Sequence, residues 1–433
     1  MTPAIGSALS RIQNFARLMR DAMTSLPTSI DVAIIGAGAA GIAAARRLQA
    51  AGVSALMIEA RNRLGGRAHT LATLRGPIDL GCEWLHSADR NPLVGLAQRL
   101  GVAIETSQPN WSAHAGRGFS EIDQTAYRTA SGSFWDSLQK AHDEGMADRP
   151  AASFLPQGGC WNPLIQTIST YYNGTELENV SIVDLGRYED TGVNWRLPEG
   201  YGALIAAAGA DLPVMFDCPV ALVDHSGARV RLETARGAVE AKAALVTVPT
   251  SMIGEERLKF RPALPEKVNA AQSLPLGLAD KIFFEIVGET DLPCDGHAFG
   301  ALDTIETISF DIRPRGLPLI GGFVGGEFAR RLEHEGVAAL EAEARRQFTA
   351  AFGSDVASAL RFVEATAWDR DPFARGAYSY ALPGKADERA ALAAPVDGRI
   401  YFAGEACSRQ SFSTAHGAWA TGIAAAEAYL KAA

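Results

Sequence analysis

A glycine-rich turn between an apolar run and a run of small residues constrains this sequence more than any other feature. The apolar residues at positions 32–35 lead directly into GAGAAG at positions 36–41, and small residues with two arginines follow at helical spacing. This order predicts a strand, a tight turn and a helix. Gly36 permits the turn, Gly38 lets the backbone approach phosphates, and Gly41 lets the helix pack on the strand. Because the start of a helix attracts anions, the turn predicts a dinucleotide diphosphate site.

The residues after this turn make the prediction more specific. A second apolar run, at positions 53–58, ends in Glu59, whose carboxylate suits the ribose hydroxyls of a dinucleotide. ARNRLGGR at positions 60–67 follows directly and forms a second glycine turn flanked by arginines, which suit an extended diphosphate. The pair of motifs resembles the FAD-binding signature of the flavin amine oxidases, the superfamily of monoamine oxidases, polyamine oxidases and lysine-specific histone demethylases.

The resemblance implies a FAD site assembled from separate segments of the chain. In the family, a segment like DLGCEW at positions 79–84 passes beside the flavin, and a residue placed like Val220 contacts the adenine end through its backbone. The turn at Gly404 and Glu405 would bind the pyrophosphate and ribityl region, and the helix after it would face the flavin ring. The residues expected to bind FAD are Gly36, Gly38, Ala40, Gly41, Glu59, Ala60, Arg61, Gly65, Gly66, Arg67, Gly81, Cys82, Glu83, Trp84, Val220, Gly404, Glu405, Ser413, Thr414 and Ala415.

Two further segments carry the resemblance to the reacting side of the site. Lys281 stands at the mouth of an apolar strand, where the family has a lysine that holds a water against flavin N5. RFVEATAWDRDPFARGAYSY at positions 361–380 matches a segment of polyamine oxidases and histone demethylases. By this resemblance Trp368 lies near the flavin ring and Tyr378 faces the substrate.

Three positions separate the branches of the family. Monoamine oxidases have a flavin-linked cysteine where this chain has Ala377, so we expect noncovalent FAD. They also have a second cage tyrosine where this chain has Thr414, which leaves a half cage here. WLH at positions 84–86 resembles the polyamine oxidases, in which the position of His86 faces the substrate tunnel. A structural histidine is the alternative interpretation of His86.

The resemblance covers positions 31–430 and implies an α/β fold. We expect a Rossmann-like three-layer FAD-binding domain with an interleaved α+β substrate domain built on a mixed sheet. One charged amphipathic helix is predicted at positions 327–352. The FAD-binding domain would combine residues 31–90, 203–262 and 388–433, and the substrate domain would combine residues 91–202 and 263–387.

Residues 1–30 have apolar side chains at three- and four-residue steps with arginines between them, which predicts an amphipathic helix. This helix has two alternative roles. It would either dock on its own domain or on a sister subunit, or attach the protein to a membrane or a partner. No apolar run reaches the roughly 20 residues of a membrane span, and no secretory or twin-arginine signal is evident, so we expect a soluble cytoplasmic protein, with a homo-oligomer left open.

Charge and cysteine usage exclude some function classes. A net charge of −9 argues against nucleic-acid binding and favours cationic ligands. The five cysteines lack metal-ligand spacing, so we expect no metal.

These observations together predict FAD-dependent oxidation of a small-molecule amine, a polyamine or another alkyl or aryl amine. The imine would be hydrolysed, and O2 would be reduced to H2O2. An L-amino-acid oxidase is the main alternative and would use an arginine such as Arg196 to bind the substrate carboxylate. A FAD-binding protein without turnover is a remote alternative, against which Lys281 argues.

Overall fold

The computed structural model describes residues 27–111 and 114–433. The predicted amphipathic helix lies outside these residues except at its end, where Ser29 and Ile30 already belong to the first strand.

The strands, numbered in chain order, are β1 (Ser29–Ile35), β2 (Ala55–Ile58), β3 (Thr70–Thr73), β4 (Gly76–Asp79), β5 (Trp84–Leu85), β6 (Trp195–Arg196), β7 (Val214–Met215), β8 (Val220–Asp224), β9 (Val230–Thr234), β10 (Gly237–Val246), β11 (Lys259–Arg261), β12 (Leu276–Gly277), β13 (Ala279–Ile286), β14 (Gly296–Phe299), β15 (Ser309–Ile312), β16 (Leu319–Gly325), β17 (Leu360–Ala365), β18 (Tyr378–Ser379) and β19 (Ile400–Phe402).

The α-helices are α1 (Ala39–Gln49), α2 (Pro92–Leu100), α3 (Glu121–Asp143), α4 (Asn162–Asn173), α5 (Ile182–Arg187), α6 (Tyr201–Gly209), α7 (Thr250–Gly254), α8 (Pro265–Ser273), α9 (Gly326–Glu335), α10 (Val337–Phe352), α11 (Ser354–Ser358), α12 (Glu388–Ala393) and α13 (Ala415–Ala432). Within the part of the chain that the structure describes, none of them is long and apolar enough to cross a bilayer.

The larger sheet has eight strands in the order β11-β8-β9-β10-β1-β2-β7, with β19 also paired to β10. Strands β7, β2, β1, β10 and β19 pair in parallel, whereas β8, β9 and the start of β10 form an antiparallel meander. Side chains of β1 alternate between two cores, with Val32 and Ile34 on one face and Ala33 and Ile35 on the other. Burial on both faces explains why this strand is a continuous apolar run.

Helices cover both faces of this sheet. Helices α1, α2, α6 and α13 pack on one face, and α7, α8 and α12 pack on the other. The predicted α/β three-layer fold class is confirmed. Helix α8 follows position 262, the predicted end of the second FAD-binding segment, yet its Ala270 and Ala271 pack on the larger sheet. The division into two domains stays a prediction.

The second sheet has five strands in the order β14-β15-β16-β13-β17, and all of its pairings are antiparallel. The mixed sheet is therefore the larger one, and the expectation of a mixed substrate-domain sheet is corrected. Short connections join β14, β15 and β16, and short connections produce antiparallel neighbours. The helix predicted at positions 327–352 is two helices, α9 and α10, because Gly336 adopts a φ of 103° between them.

Candidate active site

One cavity of about 1280 Å³ extends from the larger sheet to the second sheet. It begins where β1, β2, β10 and β19 end, because the carboxyl ends of parallel strands meet at one edge. Residues that follow these strands, among them Gly36, Glu59, Thr247 and Gly404, line the cavity. The same cavity reaches Lys281 on the second sheet, so the predicted cofactor and reacting segments share one space.

The glycine turn after β1 has the geometry that the sequence predicts. Gly36 adopts a φ of 104°, and a Cβ atom on Gly41 would stand 2.0 Å from the Gly36 carbonyl oxygen. Gly41 accordingly serves the close approach of α1 to the turn and does not line the cavity. The N-cap of α1, Gly38, supplies no side-chain cap, and the first turn of the helix has no acidic residue. This helix start fits the diphosphate of FAD.

Glu59 is buried at the tip of β2, where its two carboxylate oxygens accept hydrogen bonds from the backbone N–H groups of Ala37 (2.7 Å) and Arg61 (2.8 Å). A carboxylate accepts about four hydrogen bonds, so Glu59 keeps capacity for ribose hydroxyls. The Arg61 guanidinium contacts Asp371 at 2.5 Å. The residues around both glycine turns therefore fit a dinucleotide such as FAD.

A buried ion pair joins three segments beside the cavity. Arg67 Nη1 donates to the Ala377 carbonyl (2.6 Å) and to Glu405 (3.0 Å). Glu405 also accepts hydrogen bonds from the Ser379 hydroxyl (2.6 Å) and the Ser413 N–H (3.0 Å). Burial alone would raise the pKa of Glu405, but Arg67 and these hydrogen bonds lower it overall. The ionised carboxylate thus fixes the turn at Gly404 that the sequence assigns to the cofactor.

Lys281 lies on the cavity wall with 13% of its side chain exposed, and it forms an ion pair there. Its Nζ donates to Glu83 Oε2 (2.8 Å) and to the Asp79 carbonyl (2.9 Å). Burial disfavours the ammonium group, but Glu83 outweighs burial and raises the pKa of Lys281. Burial likewise opposes ionisation of Glu83, and Lys281 lowers the pKa of that carboxyl overall. Glu83, expected to contact the cofactor, therefore also holds Lys281 in its charged form.

The face of the second sheet toward the cavity carries Lys281 and several side chains that sequence analysis did not identify. Register places Lys281 across from Phe323, and Phe323 across from Ser309. Two residues after Ser309 in β15, Asp311 lies across from Gly321 of β16 and from His297 of β14. All of these residues line the cavity.

Asp311 is the acidic residue of this face that the sequence analysis missed. None of the residues that the structure describes donates a hydrogen bond to its carboxylate. Burial, and then Glu83, raise the pKa of Asp311 to about 7 against the opposing effect of Lys281. The alternation of polar and apolar residues in SFDI at positions 309–312 is the signal that could have predicted this orientation.

The aromatic residues expected to face the flavin lie on the cavity wall. Trp368 is almost fully buried, and its Nε1 donates to the Leu80 carbonyl at 3.3 Å. The Tyr378 hydroxyl donates to the Tyr171 carbonyl. Burial raises the pKa of Tyr378, so its phenol is neutral. Tyr172 also lines the cavity near Tyr378 and was not anticipated.

Thr414 and His86 both line the cavity, and both are hydrogen-bonded to other groups of the protein. Thr414 is the N-cap of α13, where its hydroxyl accepts the Gly417 N–H at 3.0 Å and donates to the Ser411 carbonyl at 2.7 Å. His86 Nδ1 lies 2.6 Å from Asn194 Oδ1. Because the amide oxygen can only accept, Nδ1 carries the proton. Burial lowers the pKa of His86 and keeps it neutral.

Every residue assigned to the site from the sequence, except Gly41, lies on the wall of this single cavity. Their roles stay predictions. Arg196, the candidate carboxylate ligand, also lines the cavity, but it is paired with Asp295 at 3.0 Å and stacked on Trp84. Across residues 27–111 and 114–433, no group of three or more His, Cys, Asp or Glu residues is placed to hold a metal ion.

Sequence comparison finds relatives among plant polyamine oxidases and lysine-specific histone demethylase homologues. Polyamine oxidase 4 of Oryza sativa subsp. japonica is 26% identical, over 92% of this chain and 88% of its own length. Lysine-specific histone demethylase 1 homolog 3 of Oryza sativa subsp. indica is 29% identical over 90% of this chain. The chain spans only 53% of the length of that demethylase homologue.

Solved structures share the fold. A redesigned putrescine oxidase matches with a TM-score of 0.77 and 19% identity, over 93% of this chain and 99% of its own. Cyclohexylamine oxidase from Brevibacterium oxydans IH-35A matches with a TM-score of 0.75 and 22% identity, over the same shares of the two chains. The family model for flavin containing amine oxidoreductases matches residues 39–133 and 152–430. This chain therefore belongs to the flavin-containing amine oxidoreductase family.

Proposed function

We propose that this protein is a FAD-dependent amine oxidase that converts a polyamine or another alkyl or aryl amine to an imine. The overall reaction takes two electrons and two protons from the amine and reduces O2 to H2O2, and water then hydrolyses the imine to a carbonyl compound and an amine. The observation that carries the proposal is the single cavity that joins the glycine turn at Gly36 to Lys281, Trp368 and Tyr378.

Bound FAD would supply the two-electron oxidation and the transfer of electrons to oxygen. The glycine turns, Glu59 and the segment at Gly404 would hold it. Noncovalent attachment is supported by Ala377 and by Cys82, which also lines the cavity. Burial and the neighbouring Asp79 raise the pKa of the Cys82 thiol to about 12, so it is not the thiolate that reacts as a nucleophile.

The side chains around the reacting end would position the amine and exclude water. Trp368 and Tyr378 provide a neutral aromatic wall, which suits an amine nitrogen and its alkyl chain. Lys281 is fixed as a cation by Glu83 and does not act as a general base. The amine therefore does not lose a proton to Lys281. Because its nitrogen must be deprotonated before oxidation, the pH dependence of turnover should partly follow the ionisation of the substrate.

Carboxylates in the cavity favour a substrate with a second cationic nitrogen. Asp311 lies on the second sheet, and Asp190 lies on the cavity wall near His86 and Tyr172. Neither carboxylate is neutralised by an arginine or lysine side chain in a salt bridge among the described residues. Arg196, by contrast, is neutralised by Asp295, which disfavours the amino-acid oxidase alternative.

Peroxide release across a panel of polyamines, diamines, monoamines, aryl amines and L-amino acids tests the proposal. We expect diamines or polyamines to be oxidised with the highest kcat/KM. Exclusive oxidation of L-amino acids would support the alternative function, and no peroxide with any substrate would support a non-catalytic FAD-binding protein.

Asp311→Asn tests the substrate assignment. A bound ammonium group would favour the ionised form of Asp311, and an amide cannot ionise although its shape is similar. The kcat/KM for a diamine should therefore fall by about tenfold to a hundredfold, as expected for a lost charge-assisted contact. The value for a monoamine of equal chain length should change little and serves as the control. An equal loss for both substrates would refute a role of Asp311 in selecting the second nitrogen.

A further inference from the structure

A pair of buried carboxyl groups lies behind the cavity wall and takes no part in the site described above. Asp280 precedes Lys281 in β13, and alternation along the strand directs it to the opposite face of the sheet. Glu333 comes from α9, and its carboxyl group is near enough to that of Asp280 to raise the pKa of Asp280. The exposed fraction is 1% for Asp280 and 7% for Glu333.

The two carboxyl groups hold the chain segment that carries Trp368. Asp280 Oδ1 accepts hydrogen bonds from the Thr366 hydroxyl (2.7 Å) and the Trp368 N–H (3.2 Å). Glu333 accepts the N–H groups of the next two residues, 369 and 370, at 3.1 and 2.6 Å. Thr366 Oγ1 also accepts the backbone N–H of Lys281 at 2.8 Å. The pair therefore contacts the supports of both Trp368 and Lys281.

The surroundings of the pair favour a bound proton. Asp280 Oδ2 is buried and receives no hydrogen bond from a donor group among the described residues. Two ionised carboxylates side by side repel each other, and neither can donate a hydrogen bond. A hydrogen on one carboxyl group would remove this repulsion and would be available for the other group to accept.

Among the described residues, no arginine, lysine or histidine side chain bonds to Asp280 or Glu333 and so replaces this proton. The other charged or titratable residues of the neighbouring elements are Glu327, Arg330, Arg331, His334 and Glu335 of α9, Asp369 and Arg370 of the turn, Lys281 and Glu285 of β13, Arg361 and Glu364 of β17, and Tyr378 of β18. Arg330 pairs with Asp369 at 3.0 Å, and Arg370 donates to the His334 carbonyl at 3.0 Å. Neither guanidinium bonds to Asp280 or Glu333.

We propose that Asp280 and Glu333 are positioning residues that share one proton, and that this proton holds the Trp368 turn and Lys281 in place at the cavity wall. The inference rests on the proposed function in one respect, because it takes Trp368 and Lys281 to be parts of the amine site. Burial and then Glu333 raise the pKa of Asp280 to about 8. The proton is therefore retained at neutral pH.

The pH dependence of stability tests the shared proton without using turnover. The pKa of Asp280 is near 4 in the unfolded chain and about 8 in the folded one. Between these values the folded protein binds more protons than the unfolded chain, so its stability falls as pH rises and levels off above about pH 8. Asp280→Asn keeps an acceptor for Thr366 and Trp368 and a donor for Glu333 but does not titrate. As pH rises from about 4 to about 8, the unfolding midpoint of the natural protein should fall relative to that of Asp280→Asn.

The position of the turn gives a second measurement. Near-ultraviolet and visible circular dichroism of the flavin-loaded protein should change as pH crosses about 8 in the natural protein and stay constant in Asp280→Asn. In Glu333→Gln the amide donates a hydrogen bond to ionised Asp280, so the spectrum of this variant should also stay constant across pH 8. This variant replaces Asp280→Asn if Asp280→Asn does not fold. Asp280→Leu should perturb the spectrum at every pH.

Two control variants distinguish the proton of the Asp280–Glu333 pair from protons on other carboxyl groups. Glu285→Gln alters another carboxylate of β13, one that is paired with Arg75 and Arg361. Asp311→Asn removes the cavity carboxyl whose pKa is also raised. Both should keep the change near pH 8. The inference is overturned if Asp280→Asn and Glu333→Gln titrate like the natural protein. A protein that oxidises no amine but shows the expected titration would refute the proposed function alone.

Discussion

Two charged residues of this site, Lys281 and Arg67, are each paired with a carboxylate. Lys281 with Glu83 and Arg67 with Glu405 each place a cation and a carboxylate within 3.0 Å of each other beside the cavity. Removing one member of such a pair leaves the other charge uncompensated in a poorly solvated place. Charge at these positions therefore affects both the stability and the chemistry of the site.

Lys281→Met tests the most specific of these charges. The substitution keeps an unbranched side chain one atom shorter than lysine but removes the cation beside the proposed flavin, so flavin reduction or reoxidation should slow on the order of a hundredfold while FAD stays bound. Stopped-flow absorbance separates the two half-reactions. Burial without its partner should also raise the pKa of Glu83.

Lys242→Met is the matched control for this variant, since Lys242 pairs with Asp31 at 2.8 Å on the surface. It should leave both half-reactions unchanged. Unchanged rates in Lys281→Met as well would remove Lys281 from the mechanism.

The sequence predicted that the chain turns at Gly36 and at Gly65–Gly66, because the geometry of such turns depends on neighbours in the chain. The partners of Lys281 and Asp280 were not predictable in this way. Glu83 is far from Lys281 in sequence, and Glu333 reaches Asp280 only because α9 packs on the second sheet. Alternation within SFDI indicates which face of β15 carries Asp311, but the residues across from Asp311 follow from the register of β15 with β16, which no local pattern specifies.

At the scale of whole elements, apolar runs and turn residues predicted the strands of the larger sheet. The second sheet was predicted with the wrong strand directions because pairing between distant strands leaves no local signal. The boundary between α9 and α10 was missed because charge periodicity continues across Gly336. Packing against β13 and β16, not helix propensity, fixes these helices.

Arg389 links elements that lie far apart in the sequence. It is fully buried on α12, bonds both carboxylate oxygens of Asp184 on α5 at 2.7 and 2.8 Å, and donates to Ser379 Oγ of β18 at 2.9 Å. Arg389→Met should lower the free energy of unfolding by about 3–5 kcal/mol because Asp184 stays buried without its partner. Urea unfolding followed by far-ultraviolet circular dichroism measures this loss.

Arg346→Met provides the comparison, because Arg346 pairs with Glu343 on the exposed side of α10. Its cost should stay below about 1 kcal/mol. A similar small cost for Arg389→Met would show that the buried pair does not hold these elements together.

On the scale of the whole molecule, the eight-stranded sheet, the five-stranded sheet and several long connections meet at one cavity, so a cofactor there would contact both of these sheets. A ligand that binds only the folded state stabilises it by mass action, by about 2.7 kcal/mol at a free concentration a hundred times its Kd. Removing FAD should therefore lower the Tm, and adding FAD back should raise it in proportion to the logarithm of its concentration. The adenine dinucleotide NAD, which needs only the first glycine turn, should give little increase and is the control.

The same preparation tests the mode of attachment. Acid unfolds the protein and destroys the noncovalent contacts, so the yellow flavin should stay in the supernatant after acid precipitation. Absorbance near the flavin maximum in the two fractions measures this partition. Because the chain has Ala377 where a linking cysteine would stand, and because Cys82 is held as a thiol, colour in the pellet would contradict noncovalent binding. A Tm that ignores added FAD would contradict the cofactor site itself.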